Sequence, residues 1–170
     1  MSAERTLLTD ELKSWIGREV SYPAREELGR ASIRYFAMAL AADNPLYRDD
    51  AYAQEAGHPS LVAPPTFVVE TCQYADRPPN HHGYIGHGWD LPIEGCRMIR
   101  AGNAYEFIRP VLPSDRVSVT WTLEDMVERP SSRGGSQLFV SSVARHYDAD
   151  GELLAVNRET LVYQPLEGGT

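Results

Sequence analysis

Residues 61–74 read Leu61-Val62-Ala63-Pro64-Pro65-Thr66-Phe67-Val68-Val69-Glu70-Thr71-Cys72-Gln73-Tyr74. Two adjacent prolines fix the backbone where the stretch begins. Proline is tolerated in a first helical turn because its missing N–H has no intrahelical partner there. The residues after the prolines are apolar on almost every side, so a helix over Pro64 to Tyr74 has to be buried all round. The C-terminal part of the chain offers something to bury it against. Arg97 to Phe107, Arg116 to Val127, Gln137 to Tyr147 and Leu153 to Tyr163 are four strand candidates. Val117, Val119, Trp121 and Leu123 alternate with Ser118, Thr120 and Thr122, the period of two that marks a half-buried strand. Pro113-Ser114-Asp115, Arg133-Gly134-Gly135 and Asp148-Ala149-Asp150-Gly151 are the turns, the last a strong hairpin signal. The expected fold class is α+β: a long, curved, antiparallel sheet wrapped around one central helix.

The N-terminal part is helical and loop-rich. Thr9 N-caps a short helix that Gly17 stops. Residues 18–22 suggest a short strand. From Glu26 to Ala41, Leu28, Ile33, Phe36, Ala37 and Leu40 recur at helical spacing, and Pro45 breaks the pattern. Asp50 to Ala56 adds a turn or two, ended by Gly57. Residues 76–95 are one long irregular loop, a feature that in compact domains usually carries function or mobility. With 170 residues and neither a repeat nor a linker, residues 1–170 read as a single domain.

Hydrophobic residues make up 42% of the chain and charged ones 24%, ordinary for a globular protein. The net charge of -8 argues against nucleic acid, which needs a basic patch, and against anionic membranes. It leaves room for an anionic ligand, because a few local arginines can serve a phosphate. Cys72 and Cys96 read as free thiols in a reducing compartment. The polar N-terminus has no apolar core of a secretory signal, and no apolar run approaches the ~20 residues that span a bilayer. A cytoplasmic protein is expected.

Between the second helix and the third lies Ala42-Asp43-Asn44-Pro45-Leu46-Tyr47. This loop resembles the active-site loop of the MaoC-like (R)-specific enoyl-CoA hydratases, which runs Asp-x-Asn-Pro-x-His. Two further stretches carry the resemblance: Leu61 to Phe67, and Gly102-Asn103-Ala104-Tyr105-Glu106-Phe107-Ile108-Arg109-Pro110-Val111 with Pro113-Ser114-Asp115-Arg116 just after it. Together they are similar to the N-terminal type of MaoC-like acyl dehydratase domain, which includes the non-catalytic halves of two-subunit fatty-acid dehydratases. The resemblance implies a hot-dog fold with residues 64–74 as its central helix. It also implies hydration or dehydration of an acyl thioester, on CoA or an acyl-carrier protein, with no further cofactor. The implied assembly joins two hot-dog halves through a continuous sheet, either with a chain that keeps Asp-x-Asn-Pro-x-His or as a homodimer.

The catalytic positions of that motif are changed here. Hydration of an enoyl thioester needs a base for water, an acid for the α-carbon and a donor to the thioester oxygen. Ala42 stands at the Asp position and has nothing to titrate. Tyr47 stands at the His position, and a phenol is a poor base at neutral pH. Pro64 aligns with the glycine whose amide is the oxyanion donor, and proline has no N–H. Asp43 is the nearest carboxylate and could serve by a one-residue shift, although an Asp before Asn-Pro commonly turns the backbone. Asn44, Pro64, Thr66, His87 and Trp89 are the candidate substrate-contacting residues, with His81, His82, His87, Tyr84 and Trp89 forming a lid or rim beside an acyl tunnel. The histidines lack zinc-like companions, so no metal is expected. Glu70 reads as a helix-end or interface residue. Arg109 reads as structural, paired with Glu106 or Asp115; it, Arg97 and Arg100 are also candidate phosphate contacts. Four readings are compatible with this pattern: a degenerate subunit beside a catalytic partner, a self-sufficient hydratase with a rearranged site, a non-enzymatic acyl-thioester binding module, and a hot-dog thioesterase.

Overall fold

A computed structural model describes residues 6–26, 28–72, 78, 87–131 and 135–166, with backbone alone for residues 70 and 71. Its elements, in chain order, are α1 (Asp10–Lys13), β1 (Glu19–Pro23), α2 (Arg30–Ala39), α3 (Asp50–Glu55), α4 (Phe67–Thr71), β2 (Cys96–Phe107), β3 (Ser118–Pro130), β4 (Ser136–Tyr147) and β5 (Leu153–Pro165), with a 3₁₀ turn at Pro45–Tyr47 before α3. The five strands form one antiparallel sheet in the order β1-β3-β4-β5-β2. The sheet curves around α4, and the fold is the α+β hot-dog expected from the sequence.

The apolar stretch after the prolines behaves as its composition demands. Phe67, Val68, Val69 and Cys72 are all buried. The helix begins later than Pro64, because the Phe67 amide closes a turn onto the Pro64 carbonyl (2.9 Å) and regular helix starts only after it. Gln73 and Tyr74, the expected end of the helix, lie outside the described residues, as do His81, His82 and Tyr84. Beneath α4 the sheet presents Val119, Trp121, Leu123, Leu138, Val140, Ala144, Ala155 and Leu161 to a single core. Burying each of the valines and leucines among them stabilises by roughly 1.5–3 kcal/mol, before the entropy of ordering it is subtracted.

The smaller elements obey their local signals. Thr9 caps α1, its hydroxyl accepting from the Leu12 amide at 3.2 Å. Gly17 sits at φ 87°, a left-handed conformation that suits glycine, and its amide donates to Leu123 of β3. The amphipathic helix expected over Glu26 to Ala41 is shorter: α2 starts at Arg30, with Gly29 at its N-cap. Leu28 is buried ahead of it and so mimics helical periodicity without being helical.

The two edges of the sheet differ. β1 is five residues long and ends in Pro23, both features that blunt an edge. β2 is twelve residues long, pairs among the described residues with β5 alone, and is exposed from Arg97 to Phe107. Met98, Ile99, Tyr105 and Phe107 stand among its exposed residues. Among the described residues no helix is long and apolar enough to cross a membrane.

Candidate functional site

α2 ends in an unusual way for a chain without glycine there. Ala41 takes φ 52°, and the amides of Ala41 and Ala42 bond back to the carbonyls of Met38 and Ala37. This is a left-handed helix stop that usually needs glycine. The chain then passes Asp43 and enters the 3₁₀ turn. The Asn44 side chain accepts from the Leu46 amide at 3.1 Å, and Pro45 occupies the first position of the turn. Asn44 and Pro45 therefore shape the loop.

Three further bonds hold this loop beside the central helix. The Val62 amide donates to the Leu46 carbonyl at 2.9 Å, and the Ala63 amide to the Val111 carbonyl at 2.8 Å. The Asp50 carboxylate accepts from the Leu61 amide at 2.9 Å and pairs with Arg30. The Leu61 amide, then Arg30, hold that carboxyl below its usual range. The result is a cleft of about 300 Å³ lined by Tyr47, His58, Val62, Pro65, Val68, Phe107, Val111 and their neighbours.

The candidates divide around this cleft. Tyr47 lines it, half-buried. Asp43 does not: its side chain is 82% exposed and pairs with Arg48. Pro64 is buried just behind the cleft, its carbonyl taken by Phe67, and Thr66 is half-buried outside the lining. Arg109 borders the cleft, but its guanidinium is held by Asp115 (2.8 Å) and Asp148 (2.7 Å). The pairing with Asp115 is as expected, that with Asp148 was not foreseen, and Glu106 is not involved. Among the described residues, none that lines the cleft carries a carboxylate side chain.

His87 and Trp89 are not brought to it. His87 stacks on Trp121 at 4.6 Å between centroids and meets Trp89 edge-on at 4.8 Å. Trp89 donates its indole N–H to Ser142 at 2.9 Å. Both residues are buried against the β1 side of the sheet, beside a second cleft that shares no lining residue with the first. In this structure His87 and Trp89 pack as one aromatic group with Trp121, apart from the cleft beside Tyr47.

His58 is the cleft residue that sequence reasoning missed. Gly57, at φ 91°, stops α3, and the His58 amide returns to the Ala53 carbonyl at 2.9 Å. Nothing in the spacing ties His58 to Tyr47; only the turn does. Elsewhere the core face holds buried polar groups. Burial pushes the His146 imidazole down to about 4. Burial pushes the Glu159 carboxyl up, opposed by Arg100 3.0 Å away. No group of three or more His, Cys, Asp or Glu among the described residues could hold a metal ion.

Residues 14–157 match the family described as FAS1-like, dehydratase domain region. The chain belongs to this family of MaoC-like hot-dog dehydratases. A UPF0336 protein of Saccharopolyspora erythraea is 31% identical over 150 residues, 88% of this chain and 89% of that one. A Thermomonospora curvata protein named probable enoyl-CoA hydratase alpha subunit is 26% identical over 159 residues, and the match covers half of its length. Among solved structures, the C-terminally truncated HadBC (3R-hydroxyacyl-ACP dehydratase) complex of Mycobacterium tuberculosis is similar at 25% identity and a TM-score of 0.68. That match covers 87% of this chain and 96% of the HadBC chain.

Proposed function

We propose that this MaoC-like chain is the non-catalytic half of a two-chain enoyl-thioester hydratase or 3-hydroxyacyl-thioester dehydratase. A partner hot-dog chain with an intact Asp-x-Asn-Pro-x-His loop supplies the base and acid. They move water's oxygen to the β-carbon and its proton to the α-carbon, or reverse that addition. This chain shapes the cavity for the acyl group, carried on CoA or an acyl-carrier protein, and β2 is the open edge from which the partner's sheet continues. Asn44, Pro64 and Thr66 act here as framework beside the acyl cavity, and His87 and Trp89 as the core that backs it.

One observation carries the reading. The loop keeps the backbone that Asn44 and Pro45 build, yet brings no carboxylate into the cleft, since Asp43 turns to Arg48. Framework is retained while chemistry is lost. The HadBC resemblance supports a partner, because that structure is a complex of two chains. A self-sufficient rearranged site is the second reading, favoured by Tyr47 and His58 sharing one cleft.

The test is turnover of crotonyl-CoA by the pure chain and by the chain co-purified with a catalytic MaoC-like partner. The pure chain is expected to be nearly inert and the pair active, since general acid–base assistance is worth ~10²–10⁴-fold. Substituting the partner's motif Asp abolishes turnover, while Tyr47→Phe here leaves most of it. Efficient turnover by the pure chain, stopped by Asp43→Asn, Tyr47→Phe or His58→Ala, replaces the first reading with the second.

A further inference from the structure

A lane of polar residues crosses the sheet face beneath α4. On that face Ser142 of β4 stands opposite Glu159 of β5, and Glu159 opposite Asn103 of β2. Two residues along, Ala144 faces Asn157, which faces Tyr105; two further, His146 faces Ala155, which faces Phe107. Buried polar side chains need partners. Ser142, His146, Asn157 and Glu159 are all buried, and two of them are provided for. Ser142 accepts from the Trp89 indole at 2.9 Å, and Glu159 pairs with Arg100 at 3.0 Å. The other two are not: among the described residues, His146 Nδ1 and Asn157 Oδ1 have no hydrogen-bond partner.

These two residues sit at opposite corners of one square, with Ala144 and Ala155 at the other corners. Diagonal neighbours on a sheet face lie about 7–8 Å apart, within reach of one another through long side chains. The alanines put only a methyl at each remaining corner. A small group that donates and accepts at once, placed between His146 and Asn157, satisfies both. A hydroxyl is such a group. The square is also continuous with the cleft. Phe107 lines the cleft beside Tyr47; Ala155 opposes Phe107, and His146 opposes Ala155. Two strand spacings, about 10 Å, separate Phe107 from His146. A chain that lies in the cleft and runs on beneath α4 comes to this square.

We propose that His146 and Asn157 are specificity-determining residues that receive a hydroxyl carried along the acyl chain, away from the reacting carbons, so that the acyl group housed here is hydroxylated rather than plain hydrocarbon. This rests on the acyl cavity assigned above and names the class of acyl group that cavity takes. A plain chain in the same place shuts both atoms away from water and leaves them unpaired. A hydroxyl pairs them, and the difference between the two is the selectivity.

The test reads binding, not turnover, by calorimetry on the chain with its catalytic partner and on the chain alone. The ligands are octanoyl-, decanoyl- and dodecanoyl-CoA, saturated and so unreactive, each with and without a terminal hydroxyl. Their hydroxyls bracket the distance to the square. At one length the hydroxyl tightens binding about tenfold, the worth of pairing a buried polar group, and Asn157→Leu removes the gain. In the wild-type chain, whether or not the variant folds, the Nδ1 nitrogen resonance of His146 shifts with that ligand and not with its plain counterpart. Equal binding at every length overturns the proposal and leaves the hydratase reading standing. So does a preference that Asn157→Leu keeps, or an Nδ1 signal that no ligand moves; the pair then holds only a buried water. Preferred binding by a pair that does not hydrate crotonyl-CoA sinks the hydratase reading alone, and no binding by any of the ligands sinks both.

Discussion

Acidification should destabilise this protein through one buried histidine. His146 lies on the core face of β4, opposite Val119 on one side and Ala155 on the other, and is 1% exposed. Its Nδ1 has no hydrogen-bond partner among the described residues. Protonation would place a second N–H, and a charge, where nothing accepts it. Burial accordingly lowers its pKa to about 4, against a partial offset from the Ala155 backbone. The folded value lies below the unfolded one of about 6.5, so the unfolded chain binds the proton first. Stability is complete above about pH 6.5 and falls as pH drops towards 4. Between about pH 7.5 and 4.5 the loss is about 2.5 kcal/mol from this group, a large share of the ~5–15 kcal/mol of an ordinary domain. Glu159 works the other way, since its raised pKa makes the fold favour its protonated form. The comparison is therefore between wild type and His146→Gln, in which Glu159 is common. Urea unfolding monitored by tryptophan fluorescence across that range should show the wild type losing about 2.5 kcal/mol more than the variant. Parallel pH profiles would refute the assignment of acid sensitivity to His146.

Two further outcomes test the frame that carries the cleft. Phe67→Ala empties the start of α4, where the ring packs on Phe36 at 5.0 Å. It should cost about 3–5 kcal/mol, read as a lower denaturation midpoint with an unchanged slope. Arg109→Lys keeps the charge but loses the fork that reaches Asp115 and Asp148 together. Both carboxylates keep their backbone amide donors, so the loss of the fork should be seen calorimetrically as a melting temperature lower by a few degrees.

The range of each interaction decides how legible it is in the chain. The buried helix, the four long strands and the Thr9 cap rest on periodicity and on contacts a few residues apart, and these were legible. The late start of α4 at Phe67 was not, because periodicity is silent on how a double proline closes its first turn. Arg109 with Asp115 is a near neighbour and was read correctly, whereas Asp148 lies on the far hairpin and was not seen. Trp89 looked like a lid because an aromatic in a long loop has no sequence-local partner; its partner is Ser142, two strands away.

The same distinction explains why the altered loop was legible as a fold and only partly as a site. Asn44 and Pro45 act within four residues, capping and turning the backbone, so their presence predicts where Tyr47 sits. Whether a carboxylate faces the cleft depends instead on a choice between partners. Asp43 could have turned towards Tyr47, and Arg48, five residues on, draws it to the surface. His58 enters the cleft by a helix stop in the next element. A motif's short-range backbone role can therefore be read from the sequence where its long-range chemical role cannot. Among the described residues, Tyr47 and His58 line the cleft together with Arg109, which Asp115 and Asp148 hold.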